Sequence, residues 1–271
     1  MAGEKVRGRA KTKELGEGLL VRSTSCLMKV LLDPTGDPRK IIGGRVTEPH
    51  SHPYMAYLQF QTTMGIRHCG GFLVREDFVL TAAHCWGRSI NVTLGAHNIK
   101  EKERTQQIIS ERKAIPHPYF NSKLSNDIML LQLKKKAKLT DEVNLIKLPS
   151  GDSQLTPGMV CTVAGWGLLD LNQHTTKLHE VQLEIQKDKE CLNHFRKSFN
   201  STIQICVGNP KEKNNSFLKD SGGPFVCNNV AQGIVSFGSE SGTPPSVYTR
   251  ISVFRLWIKK IMRSVKLQGQ N

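Results

Sequence analysis

The sequence predicts an all-β protein, a barrel or a sandwich, that ends in one helix. Three observations lead to this fold class: apolar residues form short runs, Gly and Pro clusters separate these runs, and only one stretch has helical spacing. Of the 271 residues, 38 % are apolar and 23 % are charged, so the chain can bury a large core and is not mainly disordered. No apolar run approaches the roughly 18 residues of a transmembrane helix.

The elements begin after a polar segment. Residues 1–40 are basic and without periodicity, so we expect a disordered leader or activation segment, with the folded domain covering 41–271. Within that domain, Val181–Ile185 alternates clearly between apolar and polar side chains, as a half-buried strand does. The other strand-like runs are Ile128–Leu133, Met159–Ala164, Gly233–Phe237 and Ser246–Ile251.

The last element is an amphipathic helix over Val253–Val265. Basic residues occupy the faces that its apolar residues leave open. We interpret it as packed on the body of the protein rather than lying on a membrane surface. The apolar residues at helical spacing are Val253, Trp257, Ile258, Ile261, Met262 and Val265.

The chain is strongly basic. It has 38 Lys and Arg against 23 Asp and Glu, a net charge of +15, of which residues 1–40 carry +4 and residues 41–271 carry +11. Such a surface favours nucleic acid, glycosaminoglycan or acidic protein, and charge alone does not distinguish them. The run Lys134–Lys138 holds four positive charges in five residues and is either a polyanion-binding segment or a solvated loop.

The seven cysteines suggest an oxidising compartment. None forms a C-x-x-C pair, which argues against a structural zinc site. Six of them lie after residue 41 and could form three disulfides, whereas the alternative is buried free thiols in a cytosolic protein. They are Cys26, Cys69, Cys85, Cys161, Cys191, Cys206 and Cys227.

Secretion has mixed support from the sequence. Asn91, Asn200 and Asn214 begin N-x-[ST] sequons, and we expect glycosylation at the first two. The best candidate for a signal peptide, Cys26–Leu32, is interrupted by Lys29, so we find no convincing signal peptide.

Three short stretches together point to nucleophilic catalysis. Leu80–Cys85 contains a histidine, Ser125–Leu131 an aspartate and Asp220–Pro224 a serine. A serine hydroxyl is a poor nucleophile at neutral pH, so an imidazole must accept its proton while a carboxylate holds the correct tautomer. Taken singly, each stretch also fits a core histidine or a turn, but in this order they match acyl transfer.

With these residues the sequence resembles the chymotrypsin-like serine proteases, and within them the granzyme branch, most of all granzymes B and H. The resemblance covers residues 41–264. The matching segments are Ile41–Gly44, His68–Phe72, Ile90–Lys100, Ser125–Leu133, Val163–Gly167 and Val230–Ser236.

The resemblance implies a fold and a catalytic triad. The fold is two antiparallel six-stranded β-barrels, about 41–145 and about 146–252, followed by the helix at about 253–265. His84 would be the general base, Asp127 would orient it, and Ser221 would be the nucleophile of a serine endopeptidase that needs no cofactor or metal. The implied disulfides are Cys69–Cys85, Cys161–Cys227 and Cys191–Cys206, with Cys26 unpaired.

The resemblance also implies activation by proteolysis. Ile41 matches the mature amino terminus, and cleavage after Lys40 would create an ammonium group that pairs with Asp220 beside the nucleophile. We therefore expect the intact chain to be an inactive zymogen. Granzymes carry an apolar signal and an acidic dipeptide here, whereas this basic leader suits a trypsin-like activator; a mis-assigned first exon or a degenerate gene copy would also explain it.

Lys219 departs from the family pattern, which has Gly immediately before the Asp-Ser pair. The oxyanion hole uses the backbone N–H groups of this residue and of Ser221. Lysine keeps the donor, but backbone angles open to Gly cost another residue about 1–3 kcal/mol. If the peptide turns away, the lost donor lowers turnover on the order of 10²–10³. We expect an impaired enzyme.

The predicted substrate pocket is neutral. No Asp lies at its base, so Lys or Arg substrates are not expected, and Ser246 stands where granzyme B has an Arg that holds acidic side chains. We expect a medium apolar side chain such as Leu, Met or Phe, or Asn, before the cleaved bond. The pocket residues are Asn215, Ser216, Ser236, Phe237, Gly238 and Ser246.

The sequence supports two candidate functions, which belong to different classes of protein. The first is a granzyme-type endopeptidase, a monomer that is secreted or stored in cytolytic granules on sulfated proteoglycan and acts in cytotoxicity and apoptosis. The second is a protease homologue with impaired catalysis that binds glycosaminoglycan. Nucleic-acid binding has only the charge in its favour. His50 and His52 are flanked by prolines, so we expect a surface loop rather than a metal site.

Overall fold

Short strands account for most of the regular structure, as the sequence predicts. The computed structural model describes residues 44–151, 154–167, 175–212, 221–239 and 242–268. These residues belong to one compact unit, Arg39–Asn271. The predicted leader 1–40 and the site residues Lys40, Ile41, Asn215, Ser216, Lys219 and Asp220 lie outside the described residues.

The first half is a closed six-stranded barrel with the strand order β2-β3-β4-β7-β6-β5, all antiparallel. Its inward-facing residues form the largest hydrophobic cluster, which includes Leu58, Phe72 and Leu130, each fully buried. The first seven strands are β1 Gly44–Val46, β2 Met55–Thr62, β3 Gly65–Arg75, β4 Phe78–Thr81, β5 Arg88–Leu94, β6 Gln107–Pro116 and β7 Met129–Leu133.

The second half is a seven-stranded sheet with the order β1-β9-β8-β11-β12-β13-β10. An antiparallel bridge between Ile185 and Val207 brings β10 back to the end of β9, so these six strands curl into a second barrel with β1 added at its edge. The strands are β8 Val160–Gly165, β9 His179–Glu184, β10 Gln204–Val207, β11 Pro224–Cys227, β12 Val230–Phe237 and β13 Ser246–Arg250.

Local chemistry explains how these strands turn. Asn228 and Asn229 have φ values of 50° and 61° and form the two-residue hairpin between β11 and β12. Asparagine tolerates these left-handed angles, which the tight hairpin requires. The alternation predicted over Val181–Ile185 is also observed, since its apolar residues are at most 5 % exposed while Gln182 faces solvent.

Two helices occur among the described residues. The predicted helix extends further at both ends, as α2 Ile251–Gln268, and packs on the first barrel through Phe254 and Ile258. Val253, which the sequence places on the apolar face, is 48 % exposed, because the buried stripe runs through Phe254 instead. The shorter α1, Asp188–Phe195, was not predicted.

Three disulfides join the chain, in the pairs that the resemblance implies: Cys69–Cys85, Cys161–Cys227 and Cys191–Cys206. The all-β fold with two barrels and a carboxyl-terminal helix is therefore confirmed. Within the described ranges, no helix is both long enough and apolar enough to cross a membrane.

Candidate active site

His84 lies in a short 3₁₀ turn, Ala83–Cys85, directly after β4. The backbone of this turn is anchored by the Cys69–Cys85 disulfide, and Ala83 is fully buried in the barrel core. The His84 side chain is 26 % exposed. The barrel therefore fixes the backbone of the residue while its ring reaches solvent.

Asp127 is fully buried, and its carboxylate accepts several donors. The His84 backbone N–H donates to Oδ1 over 2.9 Å, and His84 Nδ1 lies 2.7 Å from Oδ2. The Ser236 hydroxyl donates to Oδ2 over 2.5 Å. A buried carboxylate is costly without such partners, so these contacts replace the lost hydration and fix the imidazole at the same time.

The loop before β7 holds Asp127 in this position. Asn126 has φ 55°, an angle that asparagine tolerates, and its side-chain amide donates to the Tyr119 carbonyl over 2.9 Å. On the other side, the Thr249 hydroxyl of β13 donates to the Asp127 carbonyl over 2.8 Å. Both halves of the molecule therefore position this carboxylate.

The contact between His84 and Asp127 sets the tautomer of the ring. With Nδ1–H donating to the carboxylate, the lone pair of the neutral imidazole is on Nε2. Nε2 can then accept a proton from a nearby hydroxyl, which is the role of a general base in acyl transfer.

Ser221 is held next to the turn that carries His84. Its carbonyl oxygen accepts the Gly70 backbone N–H over 2.9 Å and lies 3.5 Å from the Cys85 sulfur. Because that sulfur is part of a disulfide, the second contact is van der Waals packing rather than a hydrogen bond. Ser221 therefore contacts Gly70 in β3 and Cys85 in the turn, and Cys85 is the residue directly after His84.

Gly222 explains why the chain can approach so closely. Its φ is 88°, and a Cβ at this position would lie 2.1 Å from Thr81 Oγ1 and 2.5 Å from the Gly70 carbonyl oxygen. Only glycine fits this backbone angle and this gap. The Gly222 N–H also donates to the Val235 carbonyl over 2.9 Å, which ties Ser221 to β12.

The described part of the predicted pocket is formed by the ends of β12 and β13. Gly238 packs on Ser246, since a Cβ at Gly238 would lie 2.6 Å from Ser246 Oγ. Ser246 is 4 % exposed. Phe237 packs edge-on against Phe195 at 5.3 Å between ring centroids. The hydroxyl of Ser236 donates to Asp127, so this side chain supports the carboxylate.

At two histidine sites, groups that could bind a metal ion are already engaged with other protein groups. Cys69 and Cys85 lie close to His84, but both sulfurs are in a disulfide and offer no thiolate. His52 has Nδ1 3.0 Å from the Tyr54 hydroxyl and Nε2 2.7 Å from Glu180 Oε2, so both nitrogens have protein partners.

The comparisons with known proteins agree on one family. The family model Trypsin matches residues 41–258. The chain is 55 % identical to human granzyme B over 239 residues, which is 88 % of this chain and 97 % of the relative. It is 57 % identical to mast cell protease 3 of Ovis aries over 245 residues, with 90 % and 97 % covered.

The chain belongs to the trypsin family of serine proteases. Human cathepsin G is 55 % identical over 246 residues, 90 % of this chain and 96 % of the relative. A solved structure titled "Structure of GrC" superposes with a TM-score of 0.80 at 54 % identity, and the match covers 82 % of this chain and 100 % of that chain. The protein is therefore a serine endopeptidase with granzyme-like relatives.

In this trypsin-family protease, the structure shows supporting contacts that the sequence did not predict. Ser236 and Thr249 hold Asp127 from 109 and 122 residues further along the chain, and Gly70 holds Ser221. Contacts between residues so far apart leave no local pattern. The one usable signal was the Gly-Gly pair after Cys69, since paired glycines in a strand often mark a close backbone approach.

Proposed function

We propose that residues 41–271, once separated from the leader after Lys40, act as a granzyme-type serine endopeptidase. The observation that carries this proposal is the His84–Asp127 pair beside Ser221, with imidazole Nδ1 2.7 Å from a fully buried carboxylate. Relatives named granzyme B and cathepsin G support the same reaction class.

The proposed reaction has two halves. Ser221 Oγ attacks the peptide carbonyl carbon as His84 Nε2 takes the hydroxyl proton, and the tetrahedral intermediate carries the negative charge on the former carbonyl oxygen. The C–N bond then breaks, the proton passes from Nε2 to the leaving amine, and an acyl-enzyme remains. A water molecule then attacks the acyl-enzyme by the same steps and releases the carboxylic acid. Asp127 stabilises the imidazolium in both halves of the reaction.

Stabilising the oxyanion depends on the backbone N–H groups of Ser221 and Lys219. Substituting Lys for Gly at the second position leads us to propose an impaired hole, because a non-glycine residue pays about 1–3 kcal/mol for strained backbone angles. Lys219→Gly should therefore raise kcat for a peptide substrate by on the order of 10²-fold, the effect of regaining one donor. An unchanged kcat in this variant would rule out Lys219 as the cause of impairment.

Activation would follow from cleavage after Lys40. The new ammonium group of Ile41 would form a buried ion pair with Asp220, directly before the nucleophile. What supports this is that β1 begins at Gly44, three residues after Ile41, and pairs with β9 at Val181, so the start of the domain is tied to the second half. Equal turnover by the intact chain and the cut chain would contradict the zymogen proposal.

The specificity we propose is for Leu, Met, Phe or Asn before the cleaved bond. The wall formed by Gly238 and Ser246 carries no charge, so neither a basic nor an acidic side chain would find an ion-pair partner there. A peptide library read by mass spectrometry tests this. Fast cleavage after Asp, without cleavage after Leu, Met or Phe, would contradict it.

The decisive experiment is covalent labelling of the nucleophile. We expect a fluorophosphonate probe to label Ser221 after the chain is cut at Lys40 and not before. The matched controls are Ser221→Ala, which removes the labelled atom, and His84→Ala, which removes the base but keeps the hydroxyl. A correctly folded, cut chain that resists labelling would favour the glycosaminoglycan-binding function.

The alternative function is supported by a basic groove of about 630 Å³ between β6, β7 and α2. Its acidic residues are already paired, Asp77 with Arg75 at 2.5 Å and Glu76 with Lys136 at 2.9 Å. Sulfated glycosaminoglycan would suit the excess of positive charge. The other basic residues of the groove, which have no ion-pair partner in the described part of the chain, are Arg112, Lys113, Lys134 and Lys135.

Heparin-affinity chromatography tests this groove directly. We expect the double variant Lys134→Gln, Lys135→Gln to elute at clearly lower salt than the parent, because less salt is needed to screen the weaker attraction between the groove and the sulfate groups. The control is Lys187→Gln, Lys189→Gln, which removes the same charge beside α1. Equal shifts in the two variants would show that net charge, rather than the groove, determines binding.

The cellular setting we propose is secretion or storage in cytolytic granules on sulfated proteoglycan, as a monomer, with a role in cytotoxicity and apoptosis. The relatives named granzymes support this setting. Asn91 in β5 and Asn200 in the turn before β10 are both exposed, which suits glycosylation in the secretory pathway. Endoglycosidase treatment of protein made in secreting cells would reveal the glycans as a loss of mass.

A further inference from the structure

The loop that carries Asp127 contains two residues with left-handed backbone angles. Leu124 has φ 56° and Asn126 has φ 55°. Asparagine tolerates this conformation because its short polar side chain bonds locally, and here the Asn126 amide donates to the Tyr119 carbonyl. Leucine has no polar side-chain group, so a leucine in this conformation is strained and persists only when its surroundings hold it. The turn at Leu124 therefore needs support from elsewhere in the molecule.

Local contacts support the amino-terminal side of this turn. The Asn121 carbonyl oxygen accepts the Leu124 N–H over 2.9 Å, and Asn121 Oδ1 accepts the Lys123 N–H over 3.0 Å. Both bonds lie within the loop, so they do not fix its position relative to the rest of the protein. On the other side of the residue, the Leu124 carbonyl oxygen accepts a donor from the second half of the molecule.

That donor is the side-chain amide of Gln204, which lies in β10. Gln204 Nε2 donates to the Leu124 carbonyl over 3.4 Å, and Gln204 Oε1 accepts the Asn200 backbone N–H over 2.7 Å. The residue is 2 % exposed. Because a backbone N–H can only donate, the short contact to Asn200 determines which end of the amide carries the oxygen. The amide nitrogen therefore faces Leu124.

Gln204 is itself placed by the sheet. It pairs with Thr249 in β13, and the Arg250 guanidinium donates to its carbonyl oxygen over 3.1 Å. The Thr249 hydroxyl in turn donates to the Asp127 carbonyl over 2.8 Å. Two residues that are paired in one sheet thus bond to two carbonyls of the same loop, those of Leu124 and Asp127. Contact at two points fixes the orientation of the loop, whereas one point would let it pivot.

The orientation of this loop determines the alignment of the catalytic pair. Asp127 Oδ2 lies 2.7 Å from His84 Nδ1, and this contact holds the tautomer of the ring. A misplacement of about 1 Å at a catalytic group can lower turnover about 10²-fold. Within the described part of the chain, the hydrogen bonds of the Gln204 side chain are with Leu124 and Asn200. Any effect of this side chain on the reaction therefore acts through the loop.

We propose that Gln204 is a positioning residue for the reaction: its amide holds the loop before Asp127 from the second half and keeps the Asp127 carboxylate aligned with His84. This inference rests on the proposed endopeptidase function. It assigns a role to a buried side chain that belongs neither to the triad nor to the oxyanion hole nor to the substrate pocket.

The variant Gln204→Met tests the amide. Methionine is unbranched, flexible and apolar, so it fills the same space and removes both hydrogen bonds. In the cut chain we expect kcat to fall about three- to tenfold with KM unchanged, which is the size of one neutral hydrogen bond expressed as a rate. An unchanged kcat would overturn the proposal, and so would a rise in KM without a change in kcat.

The matched control is Gln232→Met. Gln232 is also a buried glutamine of the second half, 8 % exposed in β12, and its Oε1 has no hydrogen-bond partner among the described residues. The control makes the same exchange at a residue with no described hydrogen bond to the loop. We expect its kcat to equal that of the parent, with urea unfolding as the measure of stability in both variants. An equal loss of kcat in the two variants would overturn the assignment to Gln204.

A spectroscopic measurement separates positioning from a loss of stability. In cut Ser221→Ala protein, the proton on His84 Nδ1 that is bonded to Asp127 should give a low-field NMR signal. Adding Gln204→Met should move this signal upfield or broaden it, because the hydrogen bond becomes longer and exchanges faster with water. Adding Gln232→Met should leave it in place. A signal that Gln204→Met leaves unchanged would overturn the proposal.

A double variant tests whether two side chains hold the loop together. Thr249→Val removes the hydroxyl that donates to the Asp127 carbonyl. Combined with Gln204→Met, it should lower kcat by more than the product of the two single losses, because each anchor limits the movement that loss of the other allows. A loss no larger than this product would overturn the joint hold. Failure of Ser221 in the parent to react with fluorophosphonate would instead contradict the endopeptidase proposal, so the two failures are distinguishable.

Discussion

Two pairs of histidine and carboxylate with the same separation lie in different regions of this protein. His84 Nδ1 is 2.7 Å from Asp127 Oδ2, and His52 Nε2 is 2.7 Å from Glu180 Oε2. They differ in the second ring nitrogen, which in His52 lies 3.0 Å from the Tyr54 hydroxyl. The separation alone therefore does not make such a pair catalytic; the group that the second nitrogen faces decides its use.

The carboxylates differ as well. Asp127 is fully buried and is held by residues from both halves, whereas the Glu180 side chain is 16 % exposed and also binds the exposed Arg45 at 2.7 Å. Arg45 belongs to β1 and Glu180 to β9, so this pair ties the first strand to the second half. One region positions a base, and the other fastens the strand that follows the predicted cleavage site.

The largest expected effect comes from exchanging each carboxylate for its amide. Asp127→Asn should lower kcat by about 10⁴, because the amide favours the wrong tautomer of His84. Glu180→Gln should leave kcat near that of the parent, since no proton transfer uses that pair. Peptide hydrolysis by the cut chains measures both, with urea unfolding as a check on folding. Similar losses in the two variants would remove the distinction between the regions.

A smaller effect is expected where the second half supports Asp127. Ser236→Ala removes the hydroxyl that donates to Asp127 Oδ2, and a hydrogen bond to a charged group contributes about 1.5–3 kcal/mol. We expect kcat to fall roughly 10- to 100-fold and the urea midpoint to fall with it.

The control for Ser236→Ala is Ser110→Ala, which loses an exposed hydroxyl bond to Asn91. It should change neither quantity. A change in KM or in substrate preference at unchanged kcat would assign Ser236 to the pocket instead.

The sequence could predict the strands and the triad because both leave local patterns. Alternation over Val181–Ile185 follows from the two-residue period of a strand, and each triad residue lies in a distinctive short motif. Helix α1 has only eight residues with Cys191 alone buried, so no apolar period marks it. The contact of Ser236 with Asp127 leaves no local pattern, because it depends on how the two halves meet.

The smallest expected effect concerns the pH dependence of stability in the region of β1 and β9. His97 and His179 are 9 % and 7 % exposed, and burial lowers the pKa of both rings. A positive charge on His97 would lower the pKa of His179 further. His97 Nδ1 has no hydrogen-bond partner among the described residues. The protein therefore keeps these rings neutral where the unfolded chain would already be charged.

The direction of the pH effect follows from that difference. Histidine in the unfolded chain binds protons below about pH 6.5, while the folded protein resists them, so the stabilisation is complete above this pH and is lost as the pH falls. We expect the urea midpoint to drop between about pH 7.5 and pH 5.5. His179→Gln should reduce that drop, whereas His194→Gln, on the exposed side of α1, should not.

Glu180, whose lowered pKa reflects donors from His52 and Arg45 that outweigh its burial, would act only at more acidic pH. If His179→Gln left the slope unchanged, the acid sensitivity would have to arise outside this region, and the contrast with the region of Asp127 would concern turnover alone.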